Sequence, residues 1–201
     1  MNLPNGWLSE PEAAYLAQLV RGIAGLGGSF LEVGSFQGRS AVAIGIEVKK
    51  LNSRLYCIDI WNKKTTEKEE MECREILEGY RNMPRVVGKF FKGDRYLIFT
   101  ENIKARGLCN TIIPIIGLSA AIRKTWKNPL RFVFIDGNHE YEYVRDDCQW
   151  RQFLVGGGII AFHDFTNSSS VRKAVDEIMN NDPNFETTES AHSIKVFKRL
   201  K

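Results

Sequence analysis

Apolar positions follow two rhythms along this chain: short continuous runs, and longer stretches in which they recur at helical spacing. The runs at Ser29–Val33, Arg54–Ile60, Thr111–Ile116, Arg131–Asp136 and Ile159–Phe162 read as buried strands. Between them lie helical patterns. The first starts near Ser9, where Glu12 three residues on completes a capping box and Pro11 suits a first turn. Tyr15, Leu16, Leu19, Val20 and Ile23 form its apolar face, and the glycines from Gly25 to Gly28 end it. Ala41, Ile44, Gly45 and Val48 mark a helix after Arg39; Tyr96, Phe99 and Ile103 mark another from Arg95 to Arg106. A polar surface helix is expected within Thr66–Gly79, a short one capped by Ser119 and ending near Trp126, and one from Glu140 to Leu154 broken by Gly156–Gly158. Asn167 or Ser168 caps the last, with Val171, Ala174, Val175, Ile178 and Met179 inward. Phe185–Thr188 and Ser193–Phe197 alternate like a terminal hairpin.

Strands alternating with helices predict an α/β fold in which a mostly parallel sheet is covered on both faces. Pro114 has no amide hydrogen for a ladder, so its strand belongs at an edge. No internal repeat or linker divides the chain: the helix within residues 1–27 is part of the same domain as 28–201.

A length of 201 residues suits one domain with a real core, and 43% hydrophobic with 26% charged residues is ordinary for a globular chain. The net charge of +4 comes from small basic groups interleaved with acids, which reads as a solvated face and argues against a nucleic-acid partner. Cys57, Cys73, Cys109 and Cys148 form no C-x-x-C pair and are expected as buried thiols in a reducing compartment. No apolar run is long enough to span a bilayer and the start, MNLPNGWLSEPEAAYL, lacks signal-peptide character, so a cytoplasmic location is expected with no membrane partner.

Candidate chemistry gathers at the carboxyl ends of the strands, the rim where such sheets bind ligands. Glu32, Gly34, Ser35 and Gly38 form a turn after the first strand, and its glycines leave the backbone open to a ligand. The first-turn N–H groups of the following helix suit a carboxylate. The spacing is not the G-x-G-x-x-G of a dinucleotide turn, which argues against a nicotinamide oxidoreductase. Asp59 at the second strand end either bridges a ribose diol or caps a turn. Trp61 offers a flat face to an adenine or a lid, or else belongs to the core. Gly117–Ser119 lies where adenine would be held, though a plain turn explains it equally. Asp136 with His139 ends the fourth strand, and His163 with Asp164 ends the fifth.

Three strings carry a resemblance: EVGSFQGRS, YCIDIW and FVFIDGNHEYEYVRDDCQWRQFLVGGGIIAFHDF. Together, over roughly residues 28 to 165, they are similar to the class I S-adenosylmethionine-dependent methyltransferases, in the branch of macrocin-type sugar O-methyltransferases and their small-molecule relatives. The resemblance implies a doubly wound, Rossmann-like sheet of seven strands with an antiparallel C-terminal hairpin. It also implies S-adenosylmethionine as cofactor, with Glu32, Gly34, Ser35 and Gly38 lining its loop and Ser40 near the methionine carboxylate. Asp59 would hold the ribose, Ser119 would lie near the adenine, and Trp61 and Asp136 would border the cofactor. The positions that match the branch's metal ligands are Asp136, His163 and Asp164. The two carboxylates suit Mg²⁺, whereas an imidazole replaces the third carboxylate expected of sugar-modifying members.

Methyl transfer to oxygen needs an aligned hydroxyl and a group to take its proton. An aspartate of the sugar enzymes is replaced here by Asn138, so the base is either His139, with Asp136 as its catalytic companion, or no side chain at all, the hydroxyl being made acidic by a metal. As a structural residue, His139 would cap a helix. The expected acceptor is a small-molecule hydroxyl on a sugar, phenol or catechol. The alternative is a catalytically silent module that binds S-adenosylmethionine and serves a partner protein. Oligomeric state stays open, a homo-oligomer included.

Overall fold

The computed structural model describes residues 2–61 and 95–201. In chain order the described elements are α1 (Glu10–Gly22), β1 (Ser29–Val33), α2 (Arg39–Lys50), β2 (Leu55–Asp59), α3 (Arg95–Lys104) and β3 (Ile112–Ile116). There follow α4 (Ser119–Thr125), β4 (Leu130–Ile135), α5 (Tyr141–Asp147), a 3₁₀ helix (Cys148–Phe153), β5 (Leu154–Phe162), α6 (Ser169–Met179), β6 (Phe185–Thr187) and β7 (Lys195–Arg199). The expected polar helix at Thr66–Gly79, and Cys73 within it, lie outside the described residues.

The strands form one seven-stranded sheet in the order β3-β2-β1-β4-β5-β7-β6. β1 to β5 run parallel, so their carboxyl ends share one rim, and β7 pairs antiparallel with both β5 and β6. β3 is at the edge, as Pro114 requires.

Side chains alternate across the sheet, and both faces are covered. Phe30, Phe132 and Phe134 pack with Leu16, Val20, Ile44 and Phe99 of α1, α2 and α3. On the other face Leu31, Val33, Val133 and Ile135 pack with Val144, Trp150, Ala174 and Val175. Each large apolar side chain so enclosed stabilises the fold by about 1.5–3 kcal/mol. α1 lies against α2, held at its start by the expected capping box between Ser9 and Glu12.

Several local expectations are corrected. The helix after Glu140 gives way to 3₁₀ geometry at Cys148, and β5 starts at Leu154 rather than after the glycines. The glycines belong to the strand because they form a bulge: Leu154 pairs with Leu130, yet Ile159 pairs with Phe132, and Gly157 takes up the irregularity at φ +80°. β7 begins at Lys195, two residues later than expected, because the Ser193 amide and hydroxyl hydrogen-bond Glu12 instead of a strand. Cys57 and Cys148 are buried free thiols, while Cys109 is exposed. No helix among the described residues is long and apolar enough to cross a membrane.

Candidate active site

At the end of β1 the chain turns through Gly34, and the carboxylate of Glu32 is completely buried. The Ser35 hydroxyl donates to its Oε2 at 2.5 Å and the Cys57 thiol at 3.4 Å. Oε1 has no hydrogen-bond partner among the described residues. Burial pushes the Glu32 carboxyl up to about 7 against the lowering influence of the neighbouring Ser35, Ser40 and Cys57 side chains. A buried oxygen without a partner beside a bare turn fits a cationic ligand, such as the ammonium or sulfonium group of S-adenosylmethionine.

The two glycines of the turn also serve the protein's own packing. A Cβ on Gly34 would lie 2.0 Å from the Asp136 carbonyl oxygen, and one on Gly38 would lie 3.0 Å from the Phe99 ring. Both residues have positive φ, +87° and +89°. The end of β1 is thus pressed directly on the end of β4.

Asp59 closes the turn from β2. Its Oδ2 accepts the Phe36 N–H and its Oδ1 the Trp61 N–H, both at 2.8 Å. Burial raises the Asp59 carboxyl above its ordinary range despite those two backbone donors. Each oxygen keeps a further lone pair for a hydroxyl. Trp61 presents no open face: it is 3% exposed, its ring centroid lies 4.7 Å from Phe99 and 5.2 Å from Tyr96, and its indole N–H donates to the Phe36 carbonyl at 2.7 Å. The turn after β1 therefore rests on it.

Ser119 is not the cap of α4, since Leu118 holds that position. Its hydroxyl donates to Asp147 Oδ1 at 2.5 Å and accepts the Trp150 indole N–H at 2.7 Å. That chain ties the start of α4 to α5. Asp147 is 5% exposed, and burial pushes its carboxyl up to about 7.

The lead-in to α1 forms one wall of the site. Arg39, the first residue of α2, donates from Nε to the Leu8 carbonyl at 2.5 Å and from a terminal nitrogen to the Pro4 carbonyl at 2.6 Å. Gly6, Trp7 and Leu8 consequently border a cleft of about 280 Å³ with Gly34, Ser35, Phe36, Ser40 and Asp136.

A smaller hollow of about 200 Å³ adjoins it across Asp136, lined in part by Asn138, His139, Phe162 and His163. His163 Nδ1 lies 3.0 Å from Asp136 Oδ1 and 3.1 Å from Asp164 Oδ2. His139 Nε2 lies 3.4 Å from Asp164 Oδ2 and 3.9 Å from Asp136 Oδ1. Two acids and two imidazoles thus meet at the ends of β4 and β5. The Asp136 carboxylate, ahead of Asp164, holds the His139 imidazole more basic than usual despite burial. Burial alone would lower His163, yet the neighbouring carboxylates, Asp136 first and then Asp164 and Glu12, push it up to about 12. Burial would raise Asp164, but His163, Asn167 and His139 hold it below the usual carboxylate range. Asn138 accepts the Glu140 N–H on its side-chain oxygen at 2.8 Å.

The donor atoms of Asp136, His163 and Asp164 all lie within 4.8 Å of one another. The set is close enough for a divalent ion, with oxygens suited to Mg²⁺, and its nitrogen would become a ligand only on giving up the proton that faces the two carboxylates.

Two residues of the site escaped the sequence reading. Asp147 gave no local signal. Glu12 gave one that the capping box masked: it stands four residues before Leu16 and eight before Val20, in register with side chains that are completely buried. A carboxylate on the buried stripe of a helix needs partners beyond its own cap.

The profile of a family described as a methyltransferase domain matches residues 31–165. Among solved structures, an O-methyltransferase from Bacillus cereus in complex with SAH is similar at a TM-score of 0.67 and 16% identity, over 100% of this chain and 85% of that one. TomG from Streptomyces achromogenes, an O-methyltransferase involved in tomaymycin synthesis solved with SAM, gives 0.69 and 14% over 100% and 84%. The O-methyltransferase NovP gives 0.70 and 15% over 94% and 79%.

Proposed function

The chain belongs to the methyltransferase-domain family and is an S-adenosylmethionine-dependent methyltransferase; from that premise we propose that it methylates a hydroxyl of a small molecule, a sugar, phenol or catechol. The observation that carries this reading is the position of Asp136, which borders both the cleft at the turn after β1 and the hollow holding His139. Donor and acceptor sites built there would share one wall.

Glu32 would meet the positive end of the cofactor with its unpartnered oxygen, and Asp59 would take the ribose hydroxyls. Ser40 and the first turn of α2 face the same cleft and would receive the methionine carboxylate. His139 is the candidate base. Its side chain is 44% exposed, so an acceptor can reach it, and Asp136 and Asp164 stabilise the imidazolium that forms. The hydroxyl proton passes to His139 as the oxygen attacks the sulfonium methyl. The carbon–sulfur bond breaks, and S-adenosylhomocysteine leaves with the electron pair. Asp136, His163 and Asp164 would hold a divalent ion, which would orient adjacent hydroxyls and make them more acidic.

Incubation with methyl-labelled S-adenosylmethionine and a panel of sugar, catechol and phenol acceptors, with Mg²⁺ and with EDTA, tests the reading. Label should pass to at least one hydroxyl acceptor. Tight binding of S-adenosylhomocysteine with no transfer to any hydroxyl acceptor, while amines or thiols added to the panel are labelled, would overturn the O-methyl assignment, and equal rates in EDTA would remove the ion.

A further inference from the structure

Glu12 faces the rim cluster, yet the transfer described above leaves it without a role. It is 7% exposed. Oε2 accepts the Ser9 N–H at 2.9 Å and the Ser9 hydroxyl at 2.7 Å, which satisfies the helix cap. Oε1 does something different. It accepts the Ser193 N–H at 3.3 Å and the Ser193 hydroxyl, and it stands 3.4 Å from Nε2 of His163.

The His163 ring thereby has a carboxylate beside each nitrogen: Nδ1 lies against Asp136 and Asp164, while Nε2, which makes no aligned hydrogen bond among the described residues, has Glu12 Oε1 as its charged neighbour at 3.4 Å. It is 6% exposed and meets the edge of Phe134 at a centroid distance of 6.1 Å. A half-turn of the ring would put carbon where each nitrogen now meets an oxygen. In such an enclosed place the partner of one nitrogen decides where the other points.

We propose that Glu12 is a positioning residue for the methyltransferase site: its negative charge facing Nε2 of His163 favours the ring orientation that presents Nδ1 to Asp136 and Asp164, and so sets the spacing of the two carboxylates. The catalytic part of this inference rests on the proposed function; the orientation of the ring does not. Helix α1 and the Ser193 turn, 181 residues apart in sequence, join at one carboxylate directly behind the cluster.

The chain has three histidines, so ¹⁵N-histidine NMR resolves each ring. Three variants separate the two tasks of Glu12. Glu12→Gln keeps the side-chain length and a capping group but removes the charge at Nε2. Glu12→Asp keeps the charge and withdraws it by one methylene. Ser9→Ala weakens the cap and leaves Oε1 in place. The expected result is that both Glu12 variants shift the His163 ring nitrogens and leave His192 unmoved, while Ser9→Ala leaves the His163 signals as in the wild type. On catechol, or whichever panel acceptor is methylated, Glu12→Gln should lower kcat about tenfold or more with S-adenosylhomocysteine affinity unchanged. The inference is overturned if His163 signals stay fixed in both Glu12 variants, or if Ser9→Ala shifts them equally. If S-adenosylhomocysteine does not bind the wild type, the cofactor reading falls, and the ring signals still decide about Glu12.

Discussion

Replacing Glu32 by Gln should change how stability depends on pH, by an amount that follows from the geometry around this carboxyl. Glu32 is 0% exposed, and its carboxyl is pushed from an ordinary 4.5 to about 7. Below pH 4.5 folded and unfolded chains both hold the proton, and the group adds no pH dependence. Between 4.5 and about 7 the unfolded chain loses its proton while the folded one retains it, so stability falls as pH rises. A difference of 2.5 units at 1.36 kcal/mol each amounts to about 3 kcal/mol. Above about pH 7 both states are ionised, and this group adds no further loss. Asp147, raised from 3.8 to about 7, behaves the same way, so between pH 5 and 6.5 these two groups should give the wild type nearly two protons' worth of slope, and His163, raised from 6.5 to about 12, adds its own fall above pH 6.5 that the carboxyl variants retain. Urea denaturation of the ligand-free protein from pH 5 to 8.5 measures it. Glu32→Gln should remove one proton's worth, and Asp147→Asn the other. The slope is the informative quantity, because the Gln amide places a donor where Oε1 has no partner and shifts the absolute stability by about 1–3 kcal/mol. Parallel profiles for Glu32→Gln and wild type would refute the reasoning: Glu32 would then be ionised in the folded protein, and its burial compensated by a partner.

Further outcomes follow from the same geometry. His139→Ala should lower turnover by about 10²–10⁴ while S-adenosylhomocysteine binding, measured by calorimetry, stays as in the wild type. Gly34→Ala should be among the most damaging small substitutions, since its methyl group would meet the Asp136 carbonyl at 2.0 Å in a backbone at φ +87°; a loss of about 3 kcal/mol or more is expected by chemical denaturation. Asp59→Asn should weaken S-adenosylhomocysteine about tenfold, because an amide nitrogen replaces one acceptor now facing a backbone N–H and a candidate ribose hydroxyl.

Much of the architecture was legible because it depends on local rules. Pro114 announced an edge strand through its missing donor, Ser9 and Glu12 announced a helix start, and the strand ends announced the rim. The site was legible to the same depth: Asp136, His139, His163 and Asp164 each follow a parallel strand, and parallel strands bring their ends together. What escaped depends on long-range contact. Glu12 meets Ser193 across nearly the whole chain, and no window of sequence contains both. Trp61 at a strand end allowed either a ligand face or a place in the core, and only Tyr96 and Phe99, arriving from a distant helix, make it core. Gly156–Gly158 looked like a break because glycine permits one; pairing with β4 on either side made a bulge instead.

The contact between Gly34 and Asp136 reaches beyond its own stability. Main chain touches main chain there, so the span separating the two halves of the rim is written in peptide geometry and leaves no room for a side chain to tune it. Variation among descendants of this protein is then free to reshape the outer walls, Trp7 and the turn beyond Asp164 included, and thereby to take on new acceptors. The distance over which a methyl group must travel would be inherited unaltered.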